Sequence, residues 1–265
     1  MIVTSFLGTL KMPASANFSK YFKILALTAV LSMPLAGCAT TQNNGPADDE
    51  VVSDPLRPFN RVMLSFNEIL DKVLFNPIDN VYRTVVPEVA RKAVTNVLAN
   101  VKSPVYLANE LLQGDLEGAG TVVKRFAINT TVGVAGIVDV AANNGTHYQP
   151  EDFGQTLAVW GVGPGPYVVW PILGPSTLRD SVGFVGDIAM DPLFWYAYNN
   201  EKYALQYTRT GLTLLDTKHR YRDTMEDLRR NSGDLYTSLQ SVYMQRRKAL
   251  INDLDPTKAS LPSIE

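Results

Sequence analysis

Apolar residues return at helical spacing through most of the chain. Phe59, Val62, Met63, Phe66, Ile69, Leu70, Val73 and Leu74 recur at i, i+3, i+4 and i+7 and fill one stripe. Arg61, Ser65, Glu68 and Lys72 fall opposite them, and Asn60, Asn67 and Asp71 form a polar row along the stripe's border. The pattern predicts a helix over 57–76, opened by Asp54-Pro55 and stopped at Pro77. Periodicity alone reads as an ordinary core-facing helix. Pro87 opens a second helix (Val89, Ala93, Val94, Val97, Leu98, Val101), and Pro104 a third that ends at Gly114. A fourth starts near Asp115 and runs into the 13 uncharged residues between Arg125 and Asp139. That stretch is too short to span a bilayer but long enough to lie in an interface or a core.

The pattern breaks over 153–175 (DFGQTLAVWGVGPGPYVVWPILG). Gly161, Gly163, Pro164, Gly165, Pro166, Pro171, Gly174 and Pro175 are too dense for a regular helix. Yet Phe153, Trp160, Tyr167 and Trp170 make the segment aromatic, so it is either packed inside or set in an interface. Two helical stretches close the chain, one carrying Leu205, Leu212, Leu215, Met225 and Leu228, the other Leu235, Leu239, Val242 and Tyr243 before Arg246-Arg247-Lys248. No run alternates as a strand would. The expected class is all-α.

The N-terminus changes the picture. Lys20 and Lys23 precede an apolar run from Ile24 to Leu35, then Leu35-Ala36-Gly37-Cys38. A charged start, a short apolar stretch and small residues before a cut site make an export signal. The cysteine after small residues resembles the lipobox of bacterial lipoproteins, which implies cleavage before Cys38, a diacylglyceryl thioether on it and an acylated (palmitoyl-type) amino group. Residues 1–37 are then the signal peptide, with Met1 or Met12 as the start. Residues 38–53 are a lipidated polar tether reaching on the order of 50 Å, residues 54–250 a single helical domain, and residues 251–265 a disordered tail. Several acyl chains anchor stably where one does not. Ala39 rather than Asp after Cys38 favours, in proteins of this class, the outer over the inner membrane.

Composition then removes alternatives. Cys38 is the only cysteine, so no disulfide holds the mature chain. Lys11, Lys20 and Lys23 leave with the signal, so 21 of the 24 basic residues face 26 acids and nucleic acid is not a partner. His147 and His219 lie far apart without metal-ligand spacing, and no metal is expected. Gly161-Val162-Gly163-Pro164-Gly165 resembles a phosphate loop, but prolines remove N–H donors and no strand–helix unit surrounds it. Asp152-Phe153-Gly154 stands without the rest of a kinase, and no nucleophile elbow is present. Asp187 and Asp191 at i, i+4 read as helix-end carboxylates beside Pro192 rather than as metal ligands, and Arg246-Arg247-Lys248 as a helix C-terminus rather than a head-group contact. An enzyme is not expected.

Several segments together resemble one family. They are Asp54-Pro55-Leu56 with Phe59-Asn60-Arg61, Asn109-Glu110-Leu111-Leu112-Gln113-Gly114, Arg125-Phe126 with Asn129-Thr130-Thr131-Val132-Gly133, and Asp152 to Leu157. Trp160 to Tyr167, Pro171 to Asp180 and Tyr243 to Arg247 continue the match. This is similar to the MlaA/VacJ outer-membrane lipoproteins over about 54–248, with Asp234-Leu235-Tyr236 in place of the more usual Asp-Pro-Tyr. The resemblance implies a ring-like bundle of amphipathic helices in the periplasmic leaflet of a Gram-negative outer membrane, around an amphipathic channel. It also implies removal of misplaced outer-leaflet phospholipids to a soluble periplasmic carrier, association with a trimeric porin, and no cofactor. On that reading Asn60, Phe66, Asn67, Asp71, Gly161, Gly163, Gly165 and Tyr167 are channel candidates, and Asp152, Arg179 and Asp180 polar struts. The alternatives are a scaffold lipoprotein that moves no lipid and a membrane-surface hydrolase.

Overall fold

A computed structural model describes residues 54–147 and 149–253. The signal peptide, Cys38, the tether and the tail from residue 254 lie outside the described residues. The elements are α1 (Arg57–Leu70), α2 (Asn76–Val85), α3 (Glu88–Gln113), α4 (Leu116–Thr131), α5 (Val140–Asn143) and α6 (Phe153–Val159). A two-stranded antiparallel ribbon follows, β1 (Tyr167–Trp170) and β2 (Gly174–Thr177). Then come α7 (Leu178–Met190), α8 (Pro192–Asn199), α9 (Tyr203–Asn231) and α10 (Leu235–Ile251). The fold is helical, as the periodicity predicts, with one small ribbon added.

Proline governs three departures from the sequence reading. Pro77 does not stop the first helix. Asp71–Phe75 forms a π turn, with Asn76 N–H bonded to the Asp71 carbonyl, and α2 continues from it to Val85. The widened turn leaves room for a ring that would otherwise press on the carbonyl one turn earlier. Pro104 does not open a helix either; it lies inside the 26-residue α3, whose end is set by Gly114 at φ +82°. In 153–175 the Gly/Pro density is confined to 161–166 and 171–175. That leaves room for α6, capped by Asp152, and for β1. The helix at the chain's end runs to Ile251, one residue into the expected disordered tail.

The ribbon would be marginal alone. Its register pairs Tyr167 with Thr177 and Trp170 with Gly174, and Pro175 opposite Val169 has no N–H to give. The free edge of β1 is completed by α1. Asn60 Nδ2 donates to the Tyr167 carbonyl (2.9 Å) and its Oδ1 accepts from Val169 N–H (2.8 Å). One helical repeat on, Asn67 does the same with the Trp170 carbonyl (2.9 Å) and Ile172 N–H (2.7 Å). Two primary amides thus stand in for a third strand, and they hold Ile172, a β-branched residue, at φ +68° in the turn.

The main core is correspondingly small: Leu64, Tyr167, Val169, Tyr236 and Leu239, flanked by Met63, Met225, Leu228, Leu235 and Tyr243. A second close approach joins α6 to α7. A Cβ added at Gly183 would sit 2.3 Å from the Gly154 backbone nitrogen, so only glycine permits the crossing.

The apolar stripe of α1 and α2 faces outward. Val62, Ile69, Val73, Val81 and Val85 are each at least 60% exposed, whereas Asn60, Asn67 and Asp79 are 5% or less. The core-facing reading of that helix is overturned: its polar row is the buried side. Exposed apolar residues continue through Val132, Val134, Ile137 and Val138 after α4, and through Leu178, Val182 and Val185 on α7. No helix among the described residues is long and apolar enough to cross a membrane.

Candidate functional site

Two cavities lie on either side of the ribbon's turn. The first, about 310 Å³, is bounded by α1, the π turn, α9 and α10. Its floor is apolar (Leu64, Val169, Leu228, Leu239), and its rim is charged. Along that rim Asp71 meets Lys218 at 2.7 Å and Arg229 at 3.3 Å, Glu68 meets Arg229 at 3.3 Å, and Asp79 meets Arg222 at 2.7 Å. Burial alone would raise the Asp79 carboxyl. Hydrogen bonds from Arg222 and His219, with the charge of Arg83, outweigh it and hold the group below its ordinary value.

The second cavity, about 440 Å³, lies among α3, α7, α10 and the ribbon. Its lining combines polar residues (Lys102, Asp152, Ser176, Asp180, Ser181, Asp187) with aromatic ones (Trp170, Phe184, Tyr243). Leu173, Gly174, Pro175 and Tyr243 line both cavities, so the ribbon's turn and one tyrosine form their common wall.

Behind that wall Arg247 gathers the carboxylates. It donates to Asp152 through both terminal nitrogens (2.6 and 3.0 Å) and to Asp180 (2.9 Å). Arg179 Nε also reaches Asp180 (3.1 Å), and the Tyr243 hydroxyl donates to its other oxygen (2.6 Å). Asp152 additionally caps α6 through Gln155 N–H. Burial pushes Asp152 up, but the Arg247 hydrogen bonds and charge prevail and keep it below its ordinary value. Arg247 lies near a helix C-terminus, as the sequence reading has it, but it is 7% exposed and turned inward to these carboxylates. The signal was present, because Tyr236, Leu239, Tyr243 and Arg247 fall at i, i+3, i+7 and i+11, one inward stripe in which only Tyr243 is half-buried.

The channel candidates divide. Asn67 and Asp71 line the first cavity. Phe66 is exposed on the outer face. Asn60 and Tyr167 are fully buried and line neither cavity. Asn60 is consumed by the strand edge and by Asp54 and Tyr236, and Tyr167 packs edge-on against Tyr236 and Tyr243. Gly161, Gly163 and Gly165 also line neither cavity; the first two face open space, and Gly165 turns beside Leu178 at φ +66°. Asp187 and Asp191 are engaged separately, the former by Asn109 and Phe153 N–H, the latter by Arg209 and the start of α8. Sequence reasoning missed Lys102, Asp187, Lys218, Arg229 and Tyr243 as cavity residues. No local motif marks them, because each owes its place to packing between distant elements.

Comparison with known proteins decides the family. A family model described as MlaA lipoprotein matches residues 52–250. The chain belongs to the MlaA lipoprotein family. The intermembrane phospholipid transport system lipoprotein MlaA of Escherichia coli (strain K12) is 34% identical over 234 residues, covering 86% of this chain and 88% of the relative. The MlaA of Haemophilus influenzae is 31% identical over 242 residues, covering 89% and 94%. A solved structure, described as the structural basis for maintenance of bacterial outer membrane lipid asymmetry, superposes with a TM-score of 0.65 at 33% identity. It is covered completely by 76% of this chain. Every residue lining the two cavities falls inside the MlaA-matched segment.

Proposed function

We propose that this chain is an outer-membrane lipoprotein that removes phospholipids from the leaflet where they do not belong and passes them towards the periplasm, maintaining lipid asymmetry. The observation that carries this is the inverted α1–α2 face. A face of apolar side chains is stable only against acyl chains or a partner, and immediately behind it lies a cavity with an apolar floor and charged rim. A phospholipid requires that combination, with room for a chain and for a head group. The names of the MlaA relatives, all lipoproteins of intermembrane phospholipid transport, support the same reading.

On this reading Cys38 carries the lipid anchor, the tether positions the body at the periplasmic leaflet, and a soluble periplasmic carrier receives the lipid. A trimeric outer-membrane porin is the lateral partner against part of the apolar exterior. Transfer breaks no covalent bond, so no catalytic set and no cofactor enters the proposal. Outer-leaflet phospholipid is measured with a membrane-impermeant amine label in cells lacking the gene, with add-back of wild type or Cys38→Ser. Exposure rises on deletion and is reversed by wild type alone. Unchanged exposure on deletion sinks lipid transport and leaves scaffolding as the better account.

A further inference from the structure

Among the ionisable groups lining the second cavity, most are already committed. Asp152 and Asp180 are held by Arg247, and Asp180 also by Arg179 and the Tyr243 hydroxyl. Two are not. Lys102 makes no direct ion pair among the described residues; its ammonium lies 5.8 Å from the Tyr106 ring, and its charge is felt across the chamber by Asp152 and Asp187 without contact. Asp187 uses Oδ1 to accept from Asn109 Nδ2 (3.1 Å) and from Phe153 N–H (2.9 Å), and its Oδ2 accepts no hydrogen bond among the described residues. One cation and one carboxylate oxygen are therefore left open in the same chamber, beside the Ser176 and Ser181 hydroxyls.

We infer that this chamber receives a zwitterionic phosphoester head group with a primary amine, of the phosphoethanolamine kind, with Lys102 on the phosphate and Asp187 on the ammonium. The inference rests on the phospholipid-transport reading above and adds a head-group preference to it. The first cavity offers no equivalent, because Lys218, Arg222 and Arg229 on its rim are each paired with a carboxylate. Its apolar floor suits an acyl chain. Burial and the nearby Asp152 push the Asp187 carboxyl up to about 6, and an arriving ammonium favours its charged form. A primary ammonium donates charge-assisted hydrogen bonds to such an oxygen, whereas a quaternary one has no N–H to give.

The test uses the full lipidated protein, reconstituted in nanodiscs of equal phosphatidylethanolamine and phosphatidylglycerol, released into detergent and weighed by native mass spectrometry. Wild type retains phosphatidylethanolamine in excess. Asp187→Asn, which keeps an oxygen for Phe153 N–H, loses that excess but not total lipid. Lys102→Met retains about tenfold less of both lipids. Replacing phosphatidylethanolamine by phosphatidylcholine in the wild-type experiment removes the excess without any mutation, so the inference stands or falls even if a variant misfolds. Wild type carrying the lipids in the supplied ratio, or Asp187→Asn keeping the excess, overturns the head-group assignment and leaves transport intact. Wild type retaining no phospholipid at all overturns both.

Discussion

The N-terminal helices α1–α2 and the C-terminal pair α9–α10 are both amphipathic and both bury polar side chains, but they do it differently. α1 buries neutral amides, Asn60 and Asn67, and matches them to strand backbone. α10 buries a charge, Arg247, and matches it to two carboxylates. Outside, α1–α2 presents valines and isoleucine, whereas the second half of α9 carries the partners of Asp71, Asp79 and Glu68. An amide gives a strand one donor and one acceptor at fixed spacing, which suits an edge that must be completed. A guanidinium suits two converging carboxylates. The difference teaches that the outward face of a helix here is decided by what its polar row can bind, not by where apolar residues would go in water.

The strongest way to break this comparison is Arg247→Met. It leaves Asp152 without its cation and Asp180 with Arg179 alone, and costs about 4 kcal/mol in unfolding free energy, read by denaturant titration in detergent. Adding Asp152→Asn and Asp180→Asn recovers part of the loss; no recovery disproves a charge origin. Asn60→Leu comes next, at about 3 kcal/mol, since the Tyr167 carbonyl and Val169 N–H both lose their partner. A loss under about 1 kcal/mol would mean that α1 does not complete the ribbon.

A third prediction sharpens the contrast at a place where buried carboxylates have no cation among the described residues. Glu110 is pushed up to about 7 and Glu151 to about 8, first by burial, with only Gln113 bonded to Glu151 (2.7 Å). Their folded values exceed the unfolded ones, so the folded chain binds more protons across that range. Their contribution is fully present below about pH 4.5 and lost as pH rises to about 8. Asp152 has the opposite sign: its contribution is present above the ordinary carboxylate range and lost as pH falls through its lowered value. Stability measured from pH 5 to 8 therefore declines in wild type and flattens in Glu151→Gln; an unchanged slope excludes Glu151 as its source. The smallest effect is Val73→Asp, under about 0.5 kcal/mol on unfolding in detergent because Val73 is exposed, yet with clearly weaker partition into vesicles.

The helix starts at Pro87 and near Asp115 and the Gly114 end were legible because each depends on local chemistry, whereas the boundaries placed at Pro77 and Pro104 were not. The ribbon was not legible. Val168 and Val169 sit in a four-residue strand between proline clusters, and one edge of it is hydrogen-bonded by a helix about a hundred residues earlier in the chain. The orientation of α1 was open for a related reason: a period of 3.6 identifies two faces but not which of them meets water. Asp152, Arg179 and Asp180 were singled out by sequence, but the residue that joins them, Arg247, comes from the far end of the chain.

The outward valines also bear on the protein's journey. A molecule so coated is a poor solute, and on the proposed outer-membrane placement an aqueous gap separates the membrane crossed in export from the one served. That placement requires the apolar exterior to be covered by an escort during the crossing, or to be formed only by folding on the far side.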